Sequence, residues 1–159
     1  MIDPLGLDVV GNGTGNAVVY TNISEGHTIM LDANGRTIMN MDTKNQVAKT
    51  AEPGAAGPYS GSFTYCEYLK SDKRFGPVKW HTTDERLRWI HGGGSGLKDP
   101  FAPRQGWKPT LGCTRAQNED VQELCKRSKD FLDSNPGKGI DYIRNGEMQN
   151  GGVTNAKRQ

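Results

Sequence analysis

Apolar and polar residues alternate in short runs over most of this chain and follow a helical period only once. "HTIMLDANGRTIMNMDTK" (His27–Lys44) carries two β-prone runs on either side of Ala33-Asn34-Gly35-Arg36. Asn-Gly tolerates the positive φ angles of a two-residue turn, so this segment predicts a hairpin. "SFTYCEYL" (Ser62–Leu69) alternates aromatic with smaller residues and predicts a strand, with Cys66 on the face opposite Phe63 and Tyr65. "DERLRWIH" (Asp84–His91) predicts a turn leading into a strand that ends at His91, and "GIDYIR" (Gly139–Arg144) predicts a last strand. The one helical stretch follows Cys113. Val121, Leu124, Cys125, Ser128, Phe131 and Leu132 fall at i, i+3, i+4, i+7, i+10 and i+11, which is one continuous face. Asn118 is the expected N-cap, Glu119 and Asp120 suit the positive end of the helix dipole, and Asn135-Pro136-Gly137 stops the helix.

Between these elements lie glycine-rich connections. Residues 1–26 are rich in Gly, Asn and Thr and read as a linker; residues 27–144 read as the folded domain; residues 145–159 form a polar tail expected to be disordered. Ala51–Gly61 is a loop, and Gly92–Pro109 is a long Gly/Pro-rich loop of the kind that carries function. Composition agrees. With 33% hydrophobic residues and 21 glycines in 159, the chain suits a loop-rich domain, mainly β with one principal helix, a β-rich α+β class.

Charge and cysteine content narrow the chemistry. Twenty basic and 18 acidic residues leave a net +2 with no basic stripe, so no nucleic-acid partner is expected. No run approaches the roughly 20 apolar residues of a membrane span, so no membrane insertion is expected. Three cysteines are too few for a disulfide scaffold, and neither CxxC nor HExxH occurs, so no metal and no cofactor are expected. Cys125 lies on the apolar helix face and reads as a small core hydrophobe. Cys66 reads as strand packing. Cys113 differs: Gly112 before it lets backbone approach a substrate, and a helix follows within a few residues, which favours thiolate. A nucleophilic cysteine needs a base, and His27, His81 and His91 are the candidates. His27 precedes a hairpin strand and His81 sits in a polar loop. His91 ends a strand and opens into a glycine run, so on position it leads.

"IHGG", "TLGCTR" and "NEDVQEL" stand in the order of a known catalytic core. The chain resembles the L,D-transpeptidase (YkuD-like) family, whose pattern is His-Gly, an insert, Ser/Thr-His-Gly-Cys, one residue, then Arg or Asn. "GPYSGSFTY" (Gly57–Tyr65) is similar to the family's TPxGxF segment, and the hairpin to its early strands. The likeness spans roughly residues 27–144. It implies a β-sandwich-like catalytic domain with Cys113 as nucleophile and His91 as base. Arg115 would face a donor carboxylate or order the cysteine loop. Gly92, Gly112 and the Cys113 backbone would line the oxyanion and substrate site, with Thr110 shaping the pocket. The implied substrate is the tetrapeptide stem of peptidoglycan. Thioester chemistry would remove or exchange its terminal D-residue, as an L,D-carboxypeptidase, an L,D-transpeptidase or both. Two departures stand out: Leu111 replaces the family's His before Gly-Cys, and the insert after His91 is longer. That insert, with Trp107 and Phe101, would be either a lid over the substrate, with Trp107 among the binding residues, or a loop whose aromatics are anchored on the core.

"DPLGL" (Asp3–Leu7) resembles the junction that precedes the C-terminal toxin domains of Rhs-repeat proteins. The opening residues lack the basic and continuous apolar regions of a secretory signal. The two resemblances together imply an interbacterial toxin. It would be similar to type VI L,D-transpeptidase effectors, delivered by an Rhs carrier to the target cell's periplasm and paired with a cognate immunity protein. The alternatives are another Cys-His peptidoglycan amidase or peptidase, a non-enzymatic cell-wall-binding module using Trp80, Trp89 and Trp107, and a nuclease toxin.

Overall fold

The computed structural model describes residues 14–51, 55, 57–86 and 88–146. Asp3–Leu7 and the tail from residue 147 lie outside the described residues. Eight strands and one helix follow in the order β1 (Ala17–Asn22), β2 (His27–Leu31), β3 (Thr37–Lys44), β4 (Tyr59–Tyr68), β5 (Val78–Thr82), β6 (Ile90–His91), β7 (Thr114–Ala116), α1 (Asn118–Ser134) and β8 (Ile140–Asn145). The expected class, mainly β with one principal helix, is the observed one. The sheet closes on itself in the order β1-β2-β3-β7-β6-β5-β4-β8, with β8 returning parallel to β1.

Closure divides the barrel into two halves. β3 and β4 are the longest strands, and each serves both: β3 pairs with β2 on one side and β7 on the other, and β4 with β8 and β5. The half built from β1, β2 and β8 is regular. β1 matches β8 along all six of its residues, Ala17 opposite Ile140 through Asn22 opposite Asn145. The other half rests on β5, β6 and β7, of five, two and three residues.

β1 corrects the expectation that residues 1–26 are a linker. "AVVY" (Ala17–Tyr20) is a continuous apolar run with no alternation, because both of its faces are covered. Ala17 and Val19 enter the main core, while Val18 and Tyr20 join Ile29 and Leu31 in a second cluster. At the other end β8 runs through Asn145, so the barrel spans more than 27–144. The hairpin stands where expected, but its turn is wider than two residues. Asp32 Oδ1 accepts the amides of Asn34 and Arg36, and Gly35 takes a φ of 81°.

β5 also lay unread: His81, expected in a polar loop, is in a strand with Trp80 pointing into the core. Trp80 is fully buried, stacks on Phe63 at 4.8 Å and donates its indole N–H to Ser128 Oγ at 3.0 Å. Trp80 is therefore no sugar platform. α1 packs over β5 through Val121, Leu124, Cys125, Ser128 and Phe131, the face that the period predicts.

The cysteine expectations need correction. Cys66 and Cys125 form a disulfide that joins β4 to α1 across 59 residues of chain. Strict alternation would have put Cys66 opposite Phe63. A bulge between Phe63 and Cys66 breaks the alternation, so both side chains pack on the same core and Tyr65 is left exposed. In the chain-entropy picture a cross-link of this span contributes about 4 kcal/mol.

Candidate active site

β6 and β7 run parallel, with Ile90 opposite Thr114 and His91 opposite Arg115. Thr114 N–H donates to Trp89 O at 2.9 Å and extends the register by one residue, which brings Trp89 beside Cys113. Side chains alternate, so Ile90 and Thr114 point into the barrel, where neither is exposed. Trp89, His91, Cys113 and Arg115 point the other way, and all four line one pocket of about 490 Å³. Residues 22 or more apart in the chain thus meet because two very short strands share one register.

The histidine is held in one tautomer. His91 Nδ1 lies 2.8 Å from Gly92 O. A carbonyl only accepts, so Nδ1 carries the proton and Nε2 holds a lone pair. The ring is 2% exposed and meets the edge of Phe75 at 4.9 Å. Burial, and then the Arg115 charge, push its pKa down to about 3. At neutral pH His91 is a neutral base, and its imidazolium is more acidic than an ordinary one. His81, by contrast, bonds Glu67 at 2.8 Å and is stacked on by Tyr65. His27 lies 3.6 Å from Asp42 at the far side of the β2–β3 hairpin. Neither lines the pocket.

Cys113 is the cysteine that stands outside the disulfide. Its Sγ accepts the Trp89 backbone N–H at 3.4 Å. Burial pushes the thiol pKa up; the Trp89 N–H and the positive charges of Arg144, Arg115 and Lys79 oppose the rise. β7 separates Cys113 from α1, so the nearby positive charge comes from side chains rather than from the helix start.

The residues around Cys113 are tied to one another. Thr110 Oγ1 donates to Cys113 O at 2.7 Å and accepts Gly112 N–H at 3.1 Å, which closes the 110–113 turn. Gly112 has φ 143°, and a Cβ there would stand 2.8 Å from Ala55 O. Gly92 N–H donates to Phe75 O, and a Cβ at Gly92 would fall 2.0 Å from Asn118 Oδ1. Both glycines are needed for close approach, but both N–H groups are already used. The expected oxyanion role of the Gly92 and Gly112 amides is corrected to a positioning one. Arg115 lines the pocket and is held by backbone carbonyls. It donates to the carbonyls of Lys108 at 2.7 Å, Arg74 at 3.2 Å and Gly92, so it staples three segments. Burial lowers its pKa to about 10, which leaves it charged at neutral pH.

The long loop is anchored rather than poised as a lid. Asn118 does not cap α1 with its side chain. It lies buried, accepts Gly93 N–H at 2.8 Å, and donates to Pro100 O and Ala102 O. Gln105 reaches back as a remote cap, accepting Asn118 N–H at 2.7 Å and donating to Ala116 O at 2.8 Å. Trp107 lies under the Lys44 ammonium, 5.1 Å from the ring centre, and does not line the pocket; neither does Phe101. Leu111 does, and is 69% exposed at its rim.

Several residues of this arrangement went unread in the sequence. Asn118 and Gln105 leave no pattern, since each reaches across sequence to backbone. Arg144 does leave one: it shares a strand face with Ile140 and Tyr142, a charge in register with core residues. Arg74, Arg86, Arg88 and Lys108 also line the pocket, and among the described residues no carboxylate does.

No protein-family model matches the sequence, and no curated protein matches it. Solved structures match the fold. The L,D-transpeptidase (Yku) from Stackebrandtia nassauensis has a TM-score of 0.54 at 13% identity, over 84% of this chain and 57% of its own. The helical cell shape determining protein Pgp2 from Campylobacter jejuni, as its K307A mutant, has a TM-score of 0.58 at 14% identity, over 90% of this chain and 51% of its own. The Ldtfm–avibactam carbamoyl enzyme has a TM-score of 0.53 at 13% identity, over 83% and 49%. The chain spans between about half and three fifths of these proteins, and at such identities the likeness is one of fold.

Proposed function

We propose that this domain is a cysteine acyl-transfer enzyme acting on the peptide stems of peptidoglycan. One observation carries the reading: the β6–β7 register sets a neutral, Nδ1-protonated His91 and Cys113, the thiol outside the disulfide, on one wall of one pocket. His91 Nε2 takes the thiol proton as Sγ bonds to the carbonyl carbon of the stem's third residue. The bond to the terminal D-residue breaks, and its nitrogen leaves with the proton that His91 returns. Water or another amine then attacks the thioester, His91 takes its proton, and the thiol is restored. An imidazolium destabilised by burial and by Arg115 gives its proton up readily, which suits the leaving-group step. The cationic rim of Arg74, Arg86, Arg88 and Lys108 suits a donor that ends in a carboxylate. The oxyanion is left to donors other than the Gly92 and Gly112 amides.

The finer reading is an interbacterial toxin carried by an Rhs protein to the periplasm of a target cell and neutralised by an immunity protein. The resemblance at Asp3–Leu7 supports the carrier, and the Cys66–Cys125 disulfide supports an oxidising destination. Mass spectrometry of tetrapeptide muropeptides incubated with the domain tests the chemistry. Loss of the terminal D-residue, or its exchange for added D-methionine, is expected from the wild type and not from Cys113→Ala. Unchanged muropeptides would reject the substrate. Expression with and without a Sec signal in a Gram-negative host tests the place, with lysis expected only on export.

A further inference from the structure

β8 carries a charge into the barrel. Ile140, Tyr142 and Arg144 alternate onto its inner face, and Arg144 is 1% exposed. Its Nη1 donates to Gly112 O at 2.9 Å. Its Nε and Nη2 are buried without a hydrogen-bond partner among the described residues, and no carboxylate there lies within ion-pair distance. A guanidinium so placed is costly to bury unless an anion balances it.

The charged and titratable groups around Arg144 are few: Tyr142 on its own strand, Arg88 and Asp84 from the β5–β6 connection, and Cys113 ahead of β7. Asp84 is already paired, its Oδ2 2.5 Å from Arg88 Nε. Tyr142 shares its hydroxyl with Thr21 and Thr114, and burial pushes its pKa up. Cys113 remains. Around Cys113 in turn stand Arg144, Arg115 and Lys79, with His91 on the neighbouring strand. Arg115 keeps its charge with Nε and Nη1 held by three carbonyls, and His91 is neutral at rest. Arg144 adjoins the cysteine through one residue, Gly112.

We propose that Arg144 is the positioning residue that fixes the Gly112–Cys113 backbone and supplies the positive charge against which the Cys113 thiol ionises, a role that rests on Cys113 being the nucleophile. When His91 Nε2 accepts the thiol proton, the new anion forms one residue beyond the carbonyl that holds a permanent guanidinium. The thiolate is therefore not sustained by an imidazolium partner alone. Arg144, Arg115 and Lys79 all oppose the rise that burial imposes on the thiol.

The test needs no substrate, so its failure is separable from failure of the peptidoglycan reading. With Cys66 and Cys125 joined, Cys113 is the thiol that iodoacetamide reaches. Its alkylation rate against pH, followed by mass spectrometry, gives the midpoint of thiolate formation. Arg144→Met should raise that midpoint by about one unit or more, equal to about tenfold slower alkylation at low pH. Arg144→Lys should keep it within about half a unit, because it keeps the charge. On an active substrate, Arg144→Met should lower kcat about tenfold or more with KM nearly unchanged. A folded Arg144→Met with the wild-type midpoint overturns the proposal, and so does Arg144→Lys matching Arg144→Met. If the Met variant fails to fold, Cys113→Asp against Cys113→Asn replaces it. A fixed carboxylate facing an unbalanced guanidinium should melt above its neutral isostere; a Cys113→Asp that melts lower overturns the proposal.

Discussion

The two halves of this barrel are held together by different means. In the half made of β1, β2 and β8, long strands in continuous register satisfy their own backbone, and apolar side chains cover both faces of β1. In the half made of β5, β6 and β7, two strands are too short to organise their surroundings. Polar side chains do it instead. Asn118, Gln105, Arg115, Thr110 and Arg144 all reach backbone groups of the loops that carry His91 and Cys113. A ladder gives the same bonds to any sequence, whereas these bonds depend on single residues. The site half should therefore lose function to point changes that leave the barrel standing.

The most severe such change is Cys113→Ala, which should abolish turnover and leave the melting temperature nearly unchanged. His91→Ala should cost roughly 10²–10⁴ in rate, the usual size of general-base catalysis. Its pH behaviour is also distinctive. With a folded pKa near 3 against the usual 6.5, only the unfolded chain takes the proton between those values. His91 thus removes stability as pH falls from 6.5 toward 3 and has no such effect above 6.5. His91→Gln should flatten that acid slope in urea denaturation curves, and an unchanged slope would show the ring to be solvated. His81→Ala and His27→Ala should leave turnover within a fewfold of wild type.

Reducing the Cys66–Cys125 disulfide, or replacing Cys125 with Ala, should cost about 4 kcal/mol by the chain-entropy estimate. The bond fastens α1 to β4, and α1 begins at Asn118, so its loss should be felt in both halves. Denaturation with and without dithiothreitol measures it. A difference under about 1 kcal/mol would mean that packing alone holds the helix.

Asn118→Ala separates the halves again. It strands Gly93 N–H and Pro100 O, each a buried group worth about 1–3 kcal/mol when unsatisfied, and the half-buried Ala102 O. Hydrogen exchange should quicken across residues 92–109 and stay slow in β1, β2 and β8. Uniform quickening would contradict a locally anchored site.

The same contrast sets what the sequence discloses. The hairpin, the strand through Cys66, the final strand and the helix face are legible because each repeats a period. β1 is hidden by its own burial, since a strand covered on both faces shows no alternation. The Cys66–Cys125 pairing is hidden by a bulge that no single residue announces. Cys113 and His91 are legible from glycine neighbours and motif order, and the β6–β7 register brings them to one pocket. The residues that hold them are not legible: Gln105 reaches 11 and 13 residues away, to Ala116 and Asn118, to satisfy particular backbone atoms. Such bonds follow from the path of the chain and leave no periodic trace.

Trp107 gives the smallest and most discriminating test of the contrast. An aromatic residue in a long loop near a candidate nucleophilic cysteine invites a substrate-binding role. In the structure its ring instead carries the Lys44 ammonium at 5.1 Å, and Lys44 ends β3, one of the two strands shared by both halves. Burial lowers the pKa of that ammonium, with Asp42 opposing, so the ring stands in for part of its lost hydration. A contact of this kind contributes about 0.5–2 kcal/mol. Trp107→Ala should therefore lower the melting temperature by a few degrees, with KM and kcat within about twofold of wild type. Trp107→Phe, which keeps a weaker π face, should recover part of the stability. A large rise in KM with unchanged stability would return Trp107 to the substrate site, and with it the reading of residues 92–109 as a cover for the pocket.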